Sequence, residues 1–223
     1  LIDSAPGIFS AGLLLGLQHS LEPDHVAAVS TLVSREKSPK VSARIGLLWG
    51  IGHTSTLLVV GILVFVFKIN ISAAVSAFFE LLVGVMLVYL GLLLIKGAWL
   101  DEAHIHPHEH DGAPHTHFHS HKTKKGHAHT HKPLLIGAMH GLAGSAGIIV
   151  LVIASMESLT DGLLFIVLFG LGATLGMAGS GIFISAPVSL APDKPLPGKL
   201  LMGAAAAISV FIGIKTIIEN WTF

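Results

Sequence analysis

The sequence predicts an all-α integral membrane protein with six transmembrane helices, arranged as two inverted three-helix repeats. Three observations carry this. First, 52% of the 223 residues are hydrophobic and 12% are charged, with a mean hydropathy of +0.77. A soluble domain carries about 25% charged residues. Second, six apolar segments can be marked, at about residues 8–33, 43–67, 72–98, 133–155, 162–187 and 198–219. Each is long enough to span, which takes roughly 20 residues. None alternates as a strand, and a barrel would need many short alternating segments. Third, the second half repeats the first. Gly16-Leu17-Gln18-His19-Ser20-Leu21 aligns with Gly137-Ala138-Met139-His140-Gly141-Leu142. Leu48-Trp49-Gly50-Ile51-Gly52-His53-Thr54 aligns with Leu168-Phe169-Gly170-Leu171-Gly172-Ala173-Thr174. The third and sixth segments match weakly, Tyr89-Leu90-Gly91-Leu92 against Phe211-Ile212-Gly213-Ile214. Three spans per half invert the second half, and inverted repeats place a substrate at the midplane between the halves. The expected division is residues 1–98 for the first repeat, 99–132 for a His-rich cytoplasmic loop expected to be disordered, and 133–223 for the second repeat.

Composition also excludes several classes. A large soluble domain is excluded, because the only long polar stretch is residues 101–132. Formal net charge is zero, so no nucleic-acid footprint is visible. Cysteine is absent, which removes disulfides, thiol redox chemistry and thiolate metal sites. No cleavable signal peptide is expected, since the first apolar segment is too long and carries charges in its middle.

The first segment holds His19-Ser20-Leu21-Glu22-Pro23-Asp24-His25, two imidazoles and two carboxylates between apolar flanks. Ionisable groups at membrane depth cost on the order of 3 kcal/mol each on insertion scales, and by default they mark an ion or substrate path. Histidine with carboxylate is also a ligand set for a divalent transition metal. On an ideal helix His19, Glu22 and His25 share an arc of about 120° and Asp24 points elsewhere. Pro23 cannot donate to the carbonyl of His19, so a kink or unwound turn is expected there. Such a break brings Asp24 towards the same cavity and leaves the His19 carbonyl as a further hard ligand. The structural alternative is a buried hydrogen-bond network tying helices together.

The second segment carries His53 within Gly50-Ile51-Gly52-His53-Thr54-Ser55, where the glycines allow close helix approach. His53 is a candidate ligand, or a partner orienting one. Glu80, near the start of the third segment, reads as an interfacial carboxylate rather than a ligand. In the fourth segment His140 is the repeat mate of His19, so the two are expected to approach from opposite halves. Gly141, Gly144 and Ser145 beside it read first as a packing face. The candidate metal residues are therefore His19, Glu22, Asp24, His25, His53 and His140.

Of the 15 histidines, the other eleven lie between His104 and His131, in alternating runs with Glu109 and Asp111 interspersed. Such a tract cannot form a core. It reads either as a tether binding Ni²⁺, Co²⁺, Cu²⁺ or Zn²⁺ or as a solvated spacer. Eleven of the 13 Lys and Arg residues fall on the side of the first, third and fifth loops. The positive-inside rule puts those loops in the cytoplasm and both termini outside a cell (inner) membrane.

These residues resemble a known family. His19-x4-Asp24-His25 resembles the His-x4-Asp-His signature of the nickel/cobalt transporter (NiCoT) superfamily, and Gly52-His53-Thr54-Ser55 resembles its second-span Gly-His-Ser-Thr element. The stretch His140-Gly141-Leu142-Ala143-Gly144-Ser145 is similar to the six-span urease-accessory-type nickel transporters. The resemblance implies a secondary transporter for Ni²⁺ or Co²⁺, with His19, Asp24, His25 and His53 on the metal path. The larger permeases of that family have eight spans and a Phe-Asp-Thr-Ala-Ser-Glu element where this chain reads His140-Gly141-Leu142-Ala143, so the second half here offers fewer acidic ligands. The His-rich loop also resembles the related nickel/cobalt efflux proteins, which leaves direction open.

The expected function is transport of a divalent metal, nickel first and cobalt second, with the ion as substrate and no resident cofactor. No nucleotide-binding loop is present, so the driving force would be an ion gradient, the membrane potential or a separate partner. Protons suit coupling, since imidazole titrates near neutral pH and must be deprotonated to bind metal. The expected partners are the metal ion and the lipid bilayer, with a cytoplasmic metallochaperone as a candidate at the His-rich loop and no nucleic acid. An intramembrane metalloenzyme is the second class; it lacks His-Glu-x-x-His and has only Glu22 as a general base, so no enzymatic activity is expected. A storage or sensor protein is the third class, and the inverted repeat argues against it.

Overall fold

The computed structural model describes residues 5–69, 71–99, 105–110, 113–118, 131–143, 158–191 and 195–221. Among them are seven helices and one two-stranded ribbon: α1 Ala5–His19, α2 Pro23–Val33, α3 Pro39–Phe67, α4 Ala73–Trp99, β1 Ile105–His110, β2 Ala113–Phe118, α5 His131–His140, α6 Leu159–Leu190 and α7 Pro195–Asn220. Four helices are long and apolar enough to cross a membrane: α3, α4, α6 and α7. The protein is a helical membrane protein. Large apolar side chains such as Phe183, Leu190 and Phe211 face outward, where only a lipid phase removes them from water at no cost.

The first apolar segment is two helices rather than one. α1 ends at His19, and α2 begins at Pro23 with Glu22 in an extended conformation at its N-cap. Proline at the first helical position loses no bond, because that N–H has no intrahelical partner anyway. The intervening turn tightens: Leu21 N–H donates to the Gln18 carbonyl and Glu22 N–H to the His19 carbonyl, both at 3.0 Å. This corrects the expectation of a free His19 carbonyl. Pro23 cannot take it, but the chain folds back so that the Glu22 amide does.

The same turn recurs 121 residues later. Ser20 N donates to Gly16 O, Leu21 N to Gln18 O and Glu22 N to His19 O; Gly141 N donates to Gly137 O, Leu142 N to Met139 O and Ala143 N to His140 O. α5 therefore stops at His140 as α1 stops at His19. The rest of the fourth apolar segment, residues 144–155, lies outside the described residues.

Packing pairs the two halves. α3 lies along α6, α4 along α7, α1 along α6 and α5 along α3. Small residues set the separations, as between membrane helices generally. A Cβ on Gly16 would meet the Phe169 carbonyl of α6, and one on Gly137 would meet the Trp49 carbonyl of α3. Likewise Gly172 abuts the Leu13 carbonyl and Gly52 the Leu134 carbonyl. Each of these contacts becomes its counterpart when aligned positions of the two halves are exchanged. Aligned residues also touch each other: the Thr54 and Thr174 hydroxyls lie 3.4 Å apart, and the Ser209 hydroxyl donates to the Leu87 carbonyl at 2.8 Å. The buried core, with Trp49, Leu87, Phe165, Ile166, Phe169 and Met177, fills the space between the halves.

Part of the His-rich segment is described. Residues 105–110 and 113–118 form an antiparallel ribbon with His106 opposite His117 and His108 opposite His115. Alternation with a period of two residues is a strand pattern as well as a low-complexity one. His104, His119, His121, His127 and His129 lie outside the described residues.

Candidate metal site

The helix break builds the site. The tight turn ends α1 with His19 pointing into the interior and restarts the chain at Pro23, so that His25 on the first turn of α2 meets His19. Their ring centroids are 4.2 Å apart. α3 brings His53, whose Nε2 lies 3.3 Å from Nε2 of His19. α5 brings His140 from the other half, its ring centroid 4.4 Å from that of His25. All four histidines are buried.

Asp24 ties two of these rings together. Its Oδ1 lies 2.9 Å from His25 Nδ1 and its Oδ2 lies 2.8 Å from His140 Nε2. An ionised carboxylate only accepts, so each ring donates an N–H to it and keeps its lone pair on the opposite nitrogen. Those opposite nitrogens, His25 Nε2 and His140 Nδ1, are buried without a hydrogen-bond partner, as is His53 Nδ1. Buried polar atoms are ordinarily satisfied, and unpartnered imidazole nitrogens are donors that a cation could take. Glu22 performs a similar service for His19, with Oε1 3.0 Å from Nδ1, although the Glu22 side chain is half exposed.

Among the described residues, two sets of three groups converge closely enough to hold an ion: His19, His25 and His53, and Asp24, His25 and His140. Within each set the candidate ligand atoms lie within 4.8 Å of one another. Five of the six candidate residues thus come together. Glu22 belongs to neither set and reaches the cluster through His19. Glu80 is in neither set, but lies within electrostatic reach of Asp24, Glu22 and Glu219.

Sequence reasoning passed over the wall of the site. Trp49, fully buried, has its ring centroid 5.2 Å from both His25 and His140 and stacks on His53 at 5.9 Å. Phe169 lies 5.1 Å from His19. Trp49 and Phe169 are aligned positions of the two halves, so the repeat itself held the signal.

Over residues 9–215 the chain matches the family described as cytochrome C biogenesis protein transmembrane region. It is 40% identical over 207 residues to urease accessory protein UreH of Bacillus sp. (strain TB-90), covering 93% of this chain and 89% of that protein. The chain is a UreH-type membrane protein of this transmembrane family. Like UreH, two Arabidopsis thaliana proteins match nearly all of this UreH-type chain: chloroplast proteins FOR GROWTH AND FERTILITY 2 and 1, at 27% and 28% identity over 94% and 93% of it. The match spans just over half of their own length, 56% and 58%. No solved structure matches. The UreH-type chain has no cysteine, so thiol chemistry is not open to it.

Proposed function

We propose that this protein is a secondary transporter of the nickel/cobalt transporter superfamily, carrying divalent transition-metal ions through the His/Asp cluster. Nickel is the first candidate substrate and cobalt the second. The observation that carries the reading is the convergence of four buried imidazoles and one carboxylate at a helix break inside a membrane protein. Buried ionisable groups at that depth belong to ion paths, and imidazole with carboxylate suits late first-row divalent metals. The 3.3 Å between the Nε2 atoms of His19 and His53 is close to the roughly 3.3 Å spanned by two imidazoles on one tetrahedral ion with bonds of about 2.0–2.1 Å. The ion is cargo, and the protein acts as a carrier and not as an enzyme.

Alternating access is the mode, with the chain built as two three-helix repeats of opposite orientation. The repeated helix break, the exchanged glycine contacts and the touching of aligned residues support it. In such transporters broken helices form the ion site between the repeats. The protein sits in the cell membrane with both termini outside and the His-rich loop in the cytoplasm, where the loop gathers or receives metal, with a metallochaperone as its partner. The relative's name, a urease accessory protein, suits this reading, because the six-span transporters that the sequence resembles carry that label. Efflux is the second reading, favoured by the His-rich tract on the cytoplasmic side.

Uptake of radiolabelled Ni²⁺ into proteoliposomes, with Co²⁺ and Zn²⁺ as competitors, tests the reading. Saturable flux that Co²⁺ competes is expected. Vesicles no more permeable than empty ones, with protein correctly inserted in both orientations, would refute it.

A further inference from the structure

We propose that the cluster is two alternating ion positions that share His25, not one polydentate site. This rests on the proposed transport function and specifies its path.

The two sets of three groups differ in chemistry and surroundings. Asp24, His25 and His140 form a carboxylate position, and the Asp24 side chain is 28% exposed. Glu80 lies within electrostatic reach of Asp24, whereas Glu22 touches the other set through His19. His19, His25 and His53 form an imidazole position with no carboxylate and no solvent exposure beyond 4%. A dication would carry net charge +1 with the first set and +2 with the second. Unbalanced charge in buried surroundings is costly, so the carboxylate position captures and the imidazole position holds only weakly. Ion paths need sites of both kinds, since an ion must enter and also leave.

His25 makes the two positions mutually exclusive. Its Nδ1 faces Asp24, whereas its Nε2 has no partner. A neutral imidazole has one lone pair and one N–H, so it can serve one side at a time. Two dications a few ångströms apart would in any case repel each other. As the ion moves from the carboxylate to the imidazole position, its bonds to Asp24 and His140 break and bonds to His19 and His53 form. It exchanges Nδ1 of His25 for Nε2. The N–H of His25 lies on Nε2 while the ion is at Nδ1, and on Nδ1, donating to the vacated Asp24 carboxylate, while the ion is at Nε2. Neither the ion nor the ring changes total charge.

Trp49 is a built-in reporter, lying against His25, His53 and His140. In the full chain carrying W99F and W221F it is the sole tryptophan, and Co²⁺ bound in the cluster quenches its emission at short range. Two double variants are matched in what they leave. H19Q/H53Q keeps Asp24, His25 and His140, whereas H53Q/H140Q keeps Asp24, His25 and His19. Each retains one carboxylate and two imidazoles. With two positions, H19Q/H53Q leaves the carboxylate position whole and binds Co²⁺ within about tenfold of the parent. H53Q/H140Q breaks both positions and binds at least about 100-fold more weakly, beyond the 10–100-fold typical of outer-shell losses. Neither variant transports, because the ion has nowhere to move on to. Equal affinities for the two variants, or transport by either, would overturn the two-position path. If H19Q/H53Q does not fold, H140Q takes its place, since it leaves the imidazole position whole. Saturable quenching in H140Q is then expected, and its loss would overturn the proposal. Absence of saturable Co²⁺ quenching in the parent would instead refute metal binding by the cluster, and with it the transport reading itself.

Discussion

Asp24→Asn is the perturbation whose cost can be worked from the geometry. The two Asp24 oxygens accept N–H bonds from His25 at 2.9 Å and His140 at 2.8 Å. An asparagine has one acceptor oxygen, and its amide nitrogen only donates. One ring must therefore give up its bond, and an ion held by Asp24, His25 and His140 loses its charged ligand. A hydrogen bond to a charged group contributes about 1.5–3 kcal/mol, and 1.4 kcal/mol is tenfold in affinity. Metal affinity at the cluster should fall by at least roughly 10–100-fold. The fold should persist, because the substitution keeps side-chain volume and the 28% exposed position tolerates the lost charge. Titration of Trp49 quenching by Co²⁺ measures the affinity, and a thermal melt in detergent checks the fold. An unchanged affinity would mean that Asp24 neither orients nor ligates, and the reasoning about lone pairs would be wrong.

Other outcomes follow from the same structure. Gly137→Val should destabilise the protein by about 1–3 kcal/mol, the usual cost of overpacking, because even a Cβ there meets the Trp49 carbonyl; a melting temperature equal to wild type would contradict this. Deleting residues 104–131 should leave transport possible but shift its dependence on metal concentration; loss of flux at saturating metal in a folded variant would place the loop in the path. In that loop-deleted protein, calorimetric Ni²⁺ affinity should weaken as pH is lowered, because protons and metal compete for the same imidazole nitrogens. A flat profile would mean that titratable histidines do not bind the ion.

Much of the fold could be read from apolar runs, and the parts that could not are local hydrogen-bond choices. Pro23 announced a break in the first segment. It did not announce that the Glu22 amide would claim the His19 carbonyl, because that depends on how tightly the chain turns. The second break, after His140, has no proline to mark it. From sequence the stretch reads as one continuous apolar segment. The convergence of His140 on Asp24 was half legible: the alignment set His140 against His19, but the bond goes to the carboxylate five residues further on. Trp49 was overlooked because an aromatic residue in a membrane span reads first as packing, and only the geometry sets it against three imidazoles. Ideal-helix geometry put Glu22, and not Asp24, on the arc of His19 and His25. The turn leaves it at the N-cap of α2, half exposed, with one bond to His19.

His25 stands at the meeting point of both ligand sets, beside Asp24 and against Trp49. The decisive measurement is Ni²⁺ flux into proteoliposomes containing His25→Ala, with protein amount, insertion and thermal stability matched to wild type. Flux should fall to the level of empty vesicles while the protein stays folded in the membrane. Flux at the wild-type rate from a well-folded His25→Ala protein would contradict transport through this cluster.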